Sequence, residues 1–374
     1  MKWSIRIATV AGIGIYVHAT FVFILIWVAM GSLSRGGDTT DAIRDIIFVL
    51  ALFGCVVLHE LGHALAAKRY GIKTRDITLL PIGGLARLEK MPDKPMQELV
   101  VALAGPAVNV VIAALLFVGL QITGLWQPFT AELMIDGPFL QRLYVVNIFL
   151  VLFNMLPAFP MDGGRALRAI LASRIGQLRA TRIAASVGQG MALLFGFLGL
   201  FSNPFLIFIA LFVWMGATAE YGLAQTEALL ADVPVRRAMV TEFHVLGPKQ
   251  TLGEAVAVTL AGPQADFPIV EAGDVIGVLT QTELLKGLSD EGRDSLISHA
   301  MHSEFETASP DEDLESAFKR LQICQCRTLP VLERGQLVGL LTRDNLTAFL
   351  SIQSALMERH HGPGHGPELL KPMI

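Results

Sequence analysis

His59-Glu60-Leu61-Gly62-His63 sets two imidazoles four residues apart with a carboxylate beside the first. In a helix, positions i and i+4 lie on one face, so both rings can reach a single metal ion. Glu60 then projects beside that ion, where it can take a proton from water held at the metal. The chemistry this spacing suits is metal-assisted hydrolysis. A chance match of the same pattern is common in soluble helices, where Glu and His cost nothing. Here the five residues fall inside an apolar run, and hydrocarbon penalises each ionisable group that nothing satisfies.

A catalytic zinc ion takes three protein ligands and keeps a fourth position for water. The third ligand should be another His or an acid at similar depth. Asp162 fits, within Asn154-Met-Leu-Pro-Ala-Phe-Pro-Met-Asp162-Gly-Gly-Arg165. Pro157 and Pro160 break a helix there, and Gly163 and Gly164 let the chain turn. Irregular backbone at membrane depth is tolerated where it lines a buried or hydrated cavity.

The elements that must position these groups follow from composition. The chain has 374 residues, 53% hydrophobic and 17% charged, with mean hydropathy +0.55. Up to residue 225 it carries 17 Lys/Arg and 12 Asp/Glu between long apolar runs; the remainder carries 12 and 21 and reads as soluble. Six segments, 14–33, 46–67, 98–120, 139–159, 183–201 and 203–223, approach the length of a membrane span. The expected fold is a multi-pass α-helical membrane protein followed by a soluble α+β module. The first apolar run lacks a small-residue cleavage site and reads as a retained span. Fourteen Lys/Arg flank one side of these spans and three (Arg35, Arg44, Arg142) the other, which predicts cytoplasmic termini and a cytoplasmic soluble half. In that arrangement the second and fourth spans both run inward, and His59 and Asp162 arrive at similar depth on the cytoplasmic side.

No strongly basic patch points to nucleic acid. Three cysteines make no disulfide framework, and Cys55 lies in an apolar run where a thiol behaves as a small hydrophobe. Ala104-Gly-Pro-Ala-Val-Asn109 opens the third span with small residues suited to close helix packing. Ile77–Leu88, with Pro81 and two glycines, alternates loosely and reads either as a short hairpin beside the membrane or as an interfacial loop.

These motifs resemble the site-2 protease family of intramembrane metalloproteases: HELGH, the later NMLPAFPMDGGR, and the PIGG segment between them. The resemblance implies His59, His63 and Asp162 as zinc ligands and Glu60 as general base. It places Asn154 where the family holds substrate or stabilises an oxyanion, although an Asn in a span also serves to join helices. It implies that the Ile77–Leu88 segment pairs with an extended substrate beside the active site. His18 matches a first-helix feature of relatives and reads as a hydrogen-bonded structural histidine. Typical substrates of the family are single-span regulators such as anti-sigma factors.

The soluble half repeats itself at an offset of 62 residues. Ala238-Met239 matches Ala300-Met301, Pro268 matches Pro330, Gly277 matches Gly339 and Thr280 matches Thr342. In each copy a helical stretch (Leu252–Leu260, Leu314–Leu321) leads to two strands around a glycine turn and then a second helix. This resembles a tandem pair of cystathionine-β-synthase (CBS) domains. The division is then a membrane protease domain over 1–225, CBS domains over 232–290 and 296–352, and a disordered tail over 353–374. CBS pairs often bind adenosine nucleotides through an Asp three residues after the Thr; here those positions are Glu283 and Asn345. The contacts that implies are Thr280, Thr342 and Asn345, against a module that is purely structural or that pairs two copies of the chain. The tail histidines His360, His361 and His365 read as polar tail rather than as a metal site.

Two other functions fit some of these features. A CBS-regulated metal transporter would also carry His and acids in its spans, but transporters often repeat their membrane halves and the six spans here show no repeat. An inactive scaffold would be expected to have lost part of the His, Glu and Asp set.

Overall fold

The computed structural model describes residues 3–81, 83–89, 92, 94–128, 137–324 and 326–360. The chain divides into two compact units between Ala224 and Gln225.

The first unit opens with a surprise relative to its hydropathy. The run expected to span from residue 14 starts as a strand. β1 (Ser4–Val10) and β2 (Ile13–His18) form a hairpin whose turn, Ala11-Gly12, has φ of 53° and 87° at its two residues. That conformation matches the twist of the flanking strands and favours glycine. Helix α1 follows only at Phe21–Ser34. Ile13-Gly-Ile-Tyr-Val-His is short and rich in β-branched residues, so hydropathy alone does not separate it from the start of a helix. His18 thus ends a strand rather than sitting in the first helix, and its Nδ1 accepts from the Thr20 backbone N–H at 3.3 Å.

Helix α2 (Thr39–Arg69) carries the HELGH run. It starts at a reciprocal cap, with Asp41 N–H donating to Asp38 Oδ1 at 2.9 Å and Asp38 N–H donating to Asp41 Oδ2 at 3.2 Å. It ends before Gly71, at φ 79°, where the N–H of Ile72 returns to the carbonyl of Ala67. β3 (Thr74–Leu80) and β4 (Gly83–Leu88) then form the hairpin that the Ile77–Leu88 pattern allowed. β2 and β3 pair in parallel, giving one sheet in the order β1-β2-β3-β4. Its inner face, Ile13, Ile15 and Ile77, packs on Leu61 and Ala64 of α2. The sheet therefore covers the half of α2 that holds the two histidines.

Helices α3 (Pro95–Ile122), α4 (Phe139–Asn154), α5 (Asp162–Ile175), α6 (Gln177–Phe201) and α7 (Phe205–Leu230) complete the unit. Among the described residues, four helices (α2, α3, α6 and α7) are long and apolar enough to cross a membrane. The other two expected spans are shorter: α1 has 14 residues and α4 has 16. α4 stops ahead of Pro157, whose ring cannot continue a helix. Three residues of the irregular segment between α4 and α5 are buried against α6 and α7: Phe159 packs on Ala184, Ala185 and Ala217, and Ala158 and Met161 pack with Ala192 and Val213.

The second unit holds two copies of one motif. α8 (Leu252–Ala261), β5 (Phe267–Glu271), β6 (Asp274–Leu279) and α9 (Gln281–Asp290) are followed by α10 (Leu314–Ile323), β7 (Thr328–Glu333), β8 (Gln336–Thr342) and α11 (Arg343–His360). Both hairpins turn on two residues of positive φ, Ala272-Gly273 and Arg334-Gly335. Each copy has its own apolar core, around Phe267, Ile269 and Leu279 in one and Leu329, Val331 and Leu341 in the other. The copies interlock: Val240 bridges to Leu340, and its counterpart His302 bridges to Val278, the counterpart of Leu340. α11 extends through the first eight residues of the expected tail; the remainder of that tail lies outside the described residues.

Candidate functional site

His59 and His63 project from one face of α2, as their spacing requires, and Asp162 meets them from the first turn of α5. His59 Nε2, His63 Nε2 and Asp162 Oδ2 stand 3.1 Å from one another on all three edges. All three side chains are buried. Asp162 reaches this point because Gly163 and Gly164 fold back tightly on the irregular segment. A Cβ on Gly163 would come within 2.3 Å of the Leu156 carbonyl, and one on Gly164 within 2.5 Å of Ala158.

The remaining nitrogens of the rings are held as well. His63 Nδ1 meets the carbonyl of Val101 at 2.7 Å; a carbonyl only accepts, so His63 carries its proton there and turns a lone pair inward at Nε2. His59 Nδ1 meets Asn109 Oδ1 at 2.5 Å. Such outer partners orient metal-binding imidazoles and raise their basicity.

This donor set fits a zinc ion. A neutral imidazole nitrogen and a carboxylate oxygen both present lone pairs, and at 3.1 Å they repel unless a cation stands between them. Tetrahedral zinc with bonds of about 2.0–2.1 Å places its ligands about 3.3 Å apart, close to the observed edges. The space is kept clear by Gly105 of α3: a Cβ there would fall 2.2 Å from His63 Nε2 and 2.6 Å from His59 Nε2. Gly62 serves the same approach of α2 to α3, its missing Cβ lying 2.7 Å from the Ala104 carbonyl.

Glu60 faces the sheet. A Cβ on Gly84 of β4 would lie 2.7 Å from Glu60 Cγ, so the start of β4 runs directly over this side chain. β4 is an edge of its sheet, with one row of backbone groups unpaired by protein strands among the described residues. Asn154, at the last turn of α4, donates from Nδ2 to the Leu150 carbonyl at 3.0 Å, and no hydrogen bond draws it to the three buried ligands.

An ion-pair network secures the helix that delivers Asp162. Arg168, one face along α5, bonds Glu98 of α3 through Nε at 2.6 Å and Glu220 of α7 through Nη1 at 3.2 Å. Arg165 also reaches Glu220 at 3.4 Å. Sequence reading gave these residues, and Asn109 and Asn147, no role at the site. A charged or carboxamide group inside an apolar helix is the signal that could have marked them.

In the second unit the residues expected at a nucleotide serve the backbone. Thr280 caps α9, bonding the Glu283 N–H and carboxylate, and Glu283 also pairs with His302 at 2.7 Å. The Asn345 N–H donates to Thr342 Oγ1 at 3.1 Å, and its side-chain amide donates to the Ala238 carbonyl at 2.8 Å. Asp266, buried where the two copies meet, accepts from the Gln281 N–H at 3.0 Å and from Thr328 Oγ1 at 2.8 Å. Thr328 is the repeat counterpart of Asp266.

Apolar helices that converge a buried His-His-Asp set beside a glutamate define a membrane-embedded metallohydrolase. The sequence profile of Peptidase family M50 matches residues 47–134 and 130–195, and that of the CBS domain matches 232–290 and 297–352. A zinc metalloprotease of Methanocaldococcus jannaschii is 33% identical over 356 residues, covering 94% of this chain and 97% of its own. The solved site-2 protease of Methanocaldococcus jannaschii is 41% identical, covering 59% of this chain and 95% of its own, with a TM-score of 0.44. A CBS domain-containing protein of Bacillus subtilis is 29% identical over 114 residues, 30% of this chain and 81% of its own. The chain belongs to Peptidase family M50, the site-2 proteases, and is an intramembrane zinc metalloprotease carrying a tandem CBS module.

Proposed function

We propose that His59, His63 and Asp162 hold the catalytic zinc ion and that Glu60 is the general base of peptide hydrolysis. The observation that carries this reading is the buried triangle of three ligand atoms, each 3.1 Å from the other two. Zinc supplies Lewis acidity toward water and the scissile carbonyl when bound there. Glu60 takes the proton of the attacking water on its carboxylate and returns it to the departing amine nitrogen. The apolar helices around the site keep bulk water out, so charges act there at low effective dielectric. Asn154 is proposed as an oxyanion donor: its Nδ2 carries two protons, of which Leu150 uses one.

The substrate is read as a single-span membrane regulator, an anti-sigma factor being the type. β4 supports its presentation as an extended segment, since an open sheet edge beside Glu60 can take an added strand. The lysine and arginine distribution supports cytoplasmic termini and a cytoplasmic CBS module. The CBS pair is read as a regulatory module for an adenine nucleotide, with Thr280, Thr342 and Asn345 as contacts, and as a surface for pairing two copies of the chain. Removal of residues 232–374 should then abolish any nucleotide response of the cleavage rate; an unchanged response sinks the regulatory reading.

Cleavage of a panel of single-span substrates by the purified protein in detergent, wild type beside Glu60→Gln, with bound zinc measured on both, tests the core of the proposal. Zinc in both proteins is expected, with cleavage slowed at least about 10²–10⁴-fold in the variant. Equal cleavage rates would remove Glu60 from the chemistry, and absence of zinc from the wild type would remove the ligand assignment.

A further inference from the structure

The two histidines are held at Nδ1 by different means. His63 donates to a backbone carbonyl, Val101, which fixes its tautomer outright. His59 faces a carboxamide, Asn109, which can present either oxygen or nitrogen. If Asn109 turned its nitrogen to His59, the ring would have to accept at Nδ1 and carry its proton at Nε2, toward the other two ligands. Something must decide the orientation of Asn109.

The deciding group lies two steps away on α4. Asn147 Nδ2 stands 2.8 Å from the carbonyl of Leu143, which can only accept, and 3.5 Å from Cys55 Sγ. Reversing Asn147 would press its oxygen against the Leu143 carbonyl. Its Oδ1 therefore faces Asn109 and accepts from Asn109 Nδ2 at 2.8 Å. Asn109 must in turn aim Oδ1 at His59, which donates from Nδ1. Each step has one allowed polarity, and the chain ends with a lone pair on His59 Nε2. Asn109 and Asn147 are both 0% exposed, so water is not at hand to replace a broken link.

We propose that Asn147, acting through Asn109, sets the tautomer of His59 and so presents His59 Nε2 to the metal. Asn109 and Asn147 are positioning residues for the zinc centre. This inference rests on the reading of His59 as a zinc ligand, and it assigns to two span residues a role that close helix packing does not require.

The test measures zinc dissociation constants by competition with a chromophoric chelator, on the full chain in detergent, together with the thermal midpoint of the metal-free form. The variants are Asn109→Leu, Asn147→Leu and Asn147→Asp. Asn109→Leu is expected to weaken zinc binding about 10–100-fold, the usual effect of losing an outer partner of a ligand. Asn147→Leu should weaken it in the same direction, because Asn109 is then free to turn. Asn147→Asp should stay near the wild type, since a protonated carboxyl donates to Leu143 and accepts from Asn109. Should Asn109→Leu fail to fold, the Asn147 pair decides the matter. Wild-type affinity in a folded Asn109→Leu protein, or equal weakening by Asn147→Asp and Asn147→Leu, overturns the relay while leaving the ligand assignment intact. A wild-type protein without zinc overturns the ligand assignment and the relay with it.

Discussion

Arg168 Nε lies 2.6 Å from Glu98 Oε1 in the interior of the membrane unit, joining the helix that begins with Asp162 to the start of α3. Arg168 is 6% exposed and Glu98 is 0% exposed, so neither charge can turn to water instead. Asp162 precedes Arg168 by six residues on α5, and α3 supplies both Gly105 and Asn109 to the histidines. The pair thus ties together the two helices that complete the centre around α2.

Breaking this pair from one side should be costly. Glu98→Ala leaves the Arg168 guanidinium buried with Glu220 as its remaining carboxylate, and a loss of about 3–5 kcal/mol is expected. The double change Glu98→Leu with Arg168→Met should be less damaging than either single change, because it removes both desolvated charges. Unfolding midpoints of the full chain in detergent check the order. A double variant as unstable as the sum of the singles would show that the charges are not coupled.

Gly105→Ala should empty the metal centre. Its Cβ would fall 2.2 Å from His63 Nε2, closer than any real contact, so one or both imidazoles must move. Zinc per protein should drop well below one, while Gly119→Ala on the same helix, where a Cβ meets nothing within 4 Å, should keep its zinc. Metal analysis of the two purified variants separates a packing effect specific to the site from a general loss in α3.

Gly84→Ala is expected to separate binding of metal from catalysis. The atoms nearest the added methyl would be Glu60 Cγ at 2.7 Å, Val56 Cγ1 at 3.0 Å and Glu60 Oε1 at 3.3 Å, none of them on a ligand residue. Zinc content should be retained and kcat should fall at least about tenfold, a part of the 10²–10⁴-fold that a general base contributes. A variant cleaving at the wild-type rate would mean that β4 and Glu60 do not constrain each other during hydrolysis.

Asp266→Leu should loosen the CBS pair. It leaves the buried Thr328 hydroxyl and the partly buried Gln281 N–H without their acceptor, at a cost of about 1–3 kcal/mol. A lowered unfolding midpoint with unchanged zinc content is the expected result. An unchanged midpoint would argue that the carboxylate does not help join the two copies.

Much of the chemistry was legible in the chain itself because its determinants are local. The i, i+4 spacing of His59 and His63 places both rings on one face of any helix, whatever the helix packs against. The repeat at an offset of 62 residues likewise announces a paired module, since equal sequences must build equal motifs. Tertiary structure alone decided the rest. Residues 13–18 became a strand because β1 and β3 offered partners on both sides, a fact that the hydropathy of a six-residue run does not contain. The tautomer of His59 depends on Asn109, fifty residues away, and on Asn147, a further thirty-eight, and no local pattern carries contacts of that range. Gly105 looked like a packing residue, and it is one; what it packs against is the pair of imidazoles, because the fold brings α3 against the histidine face of α2 there.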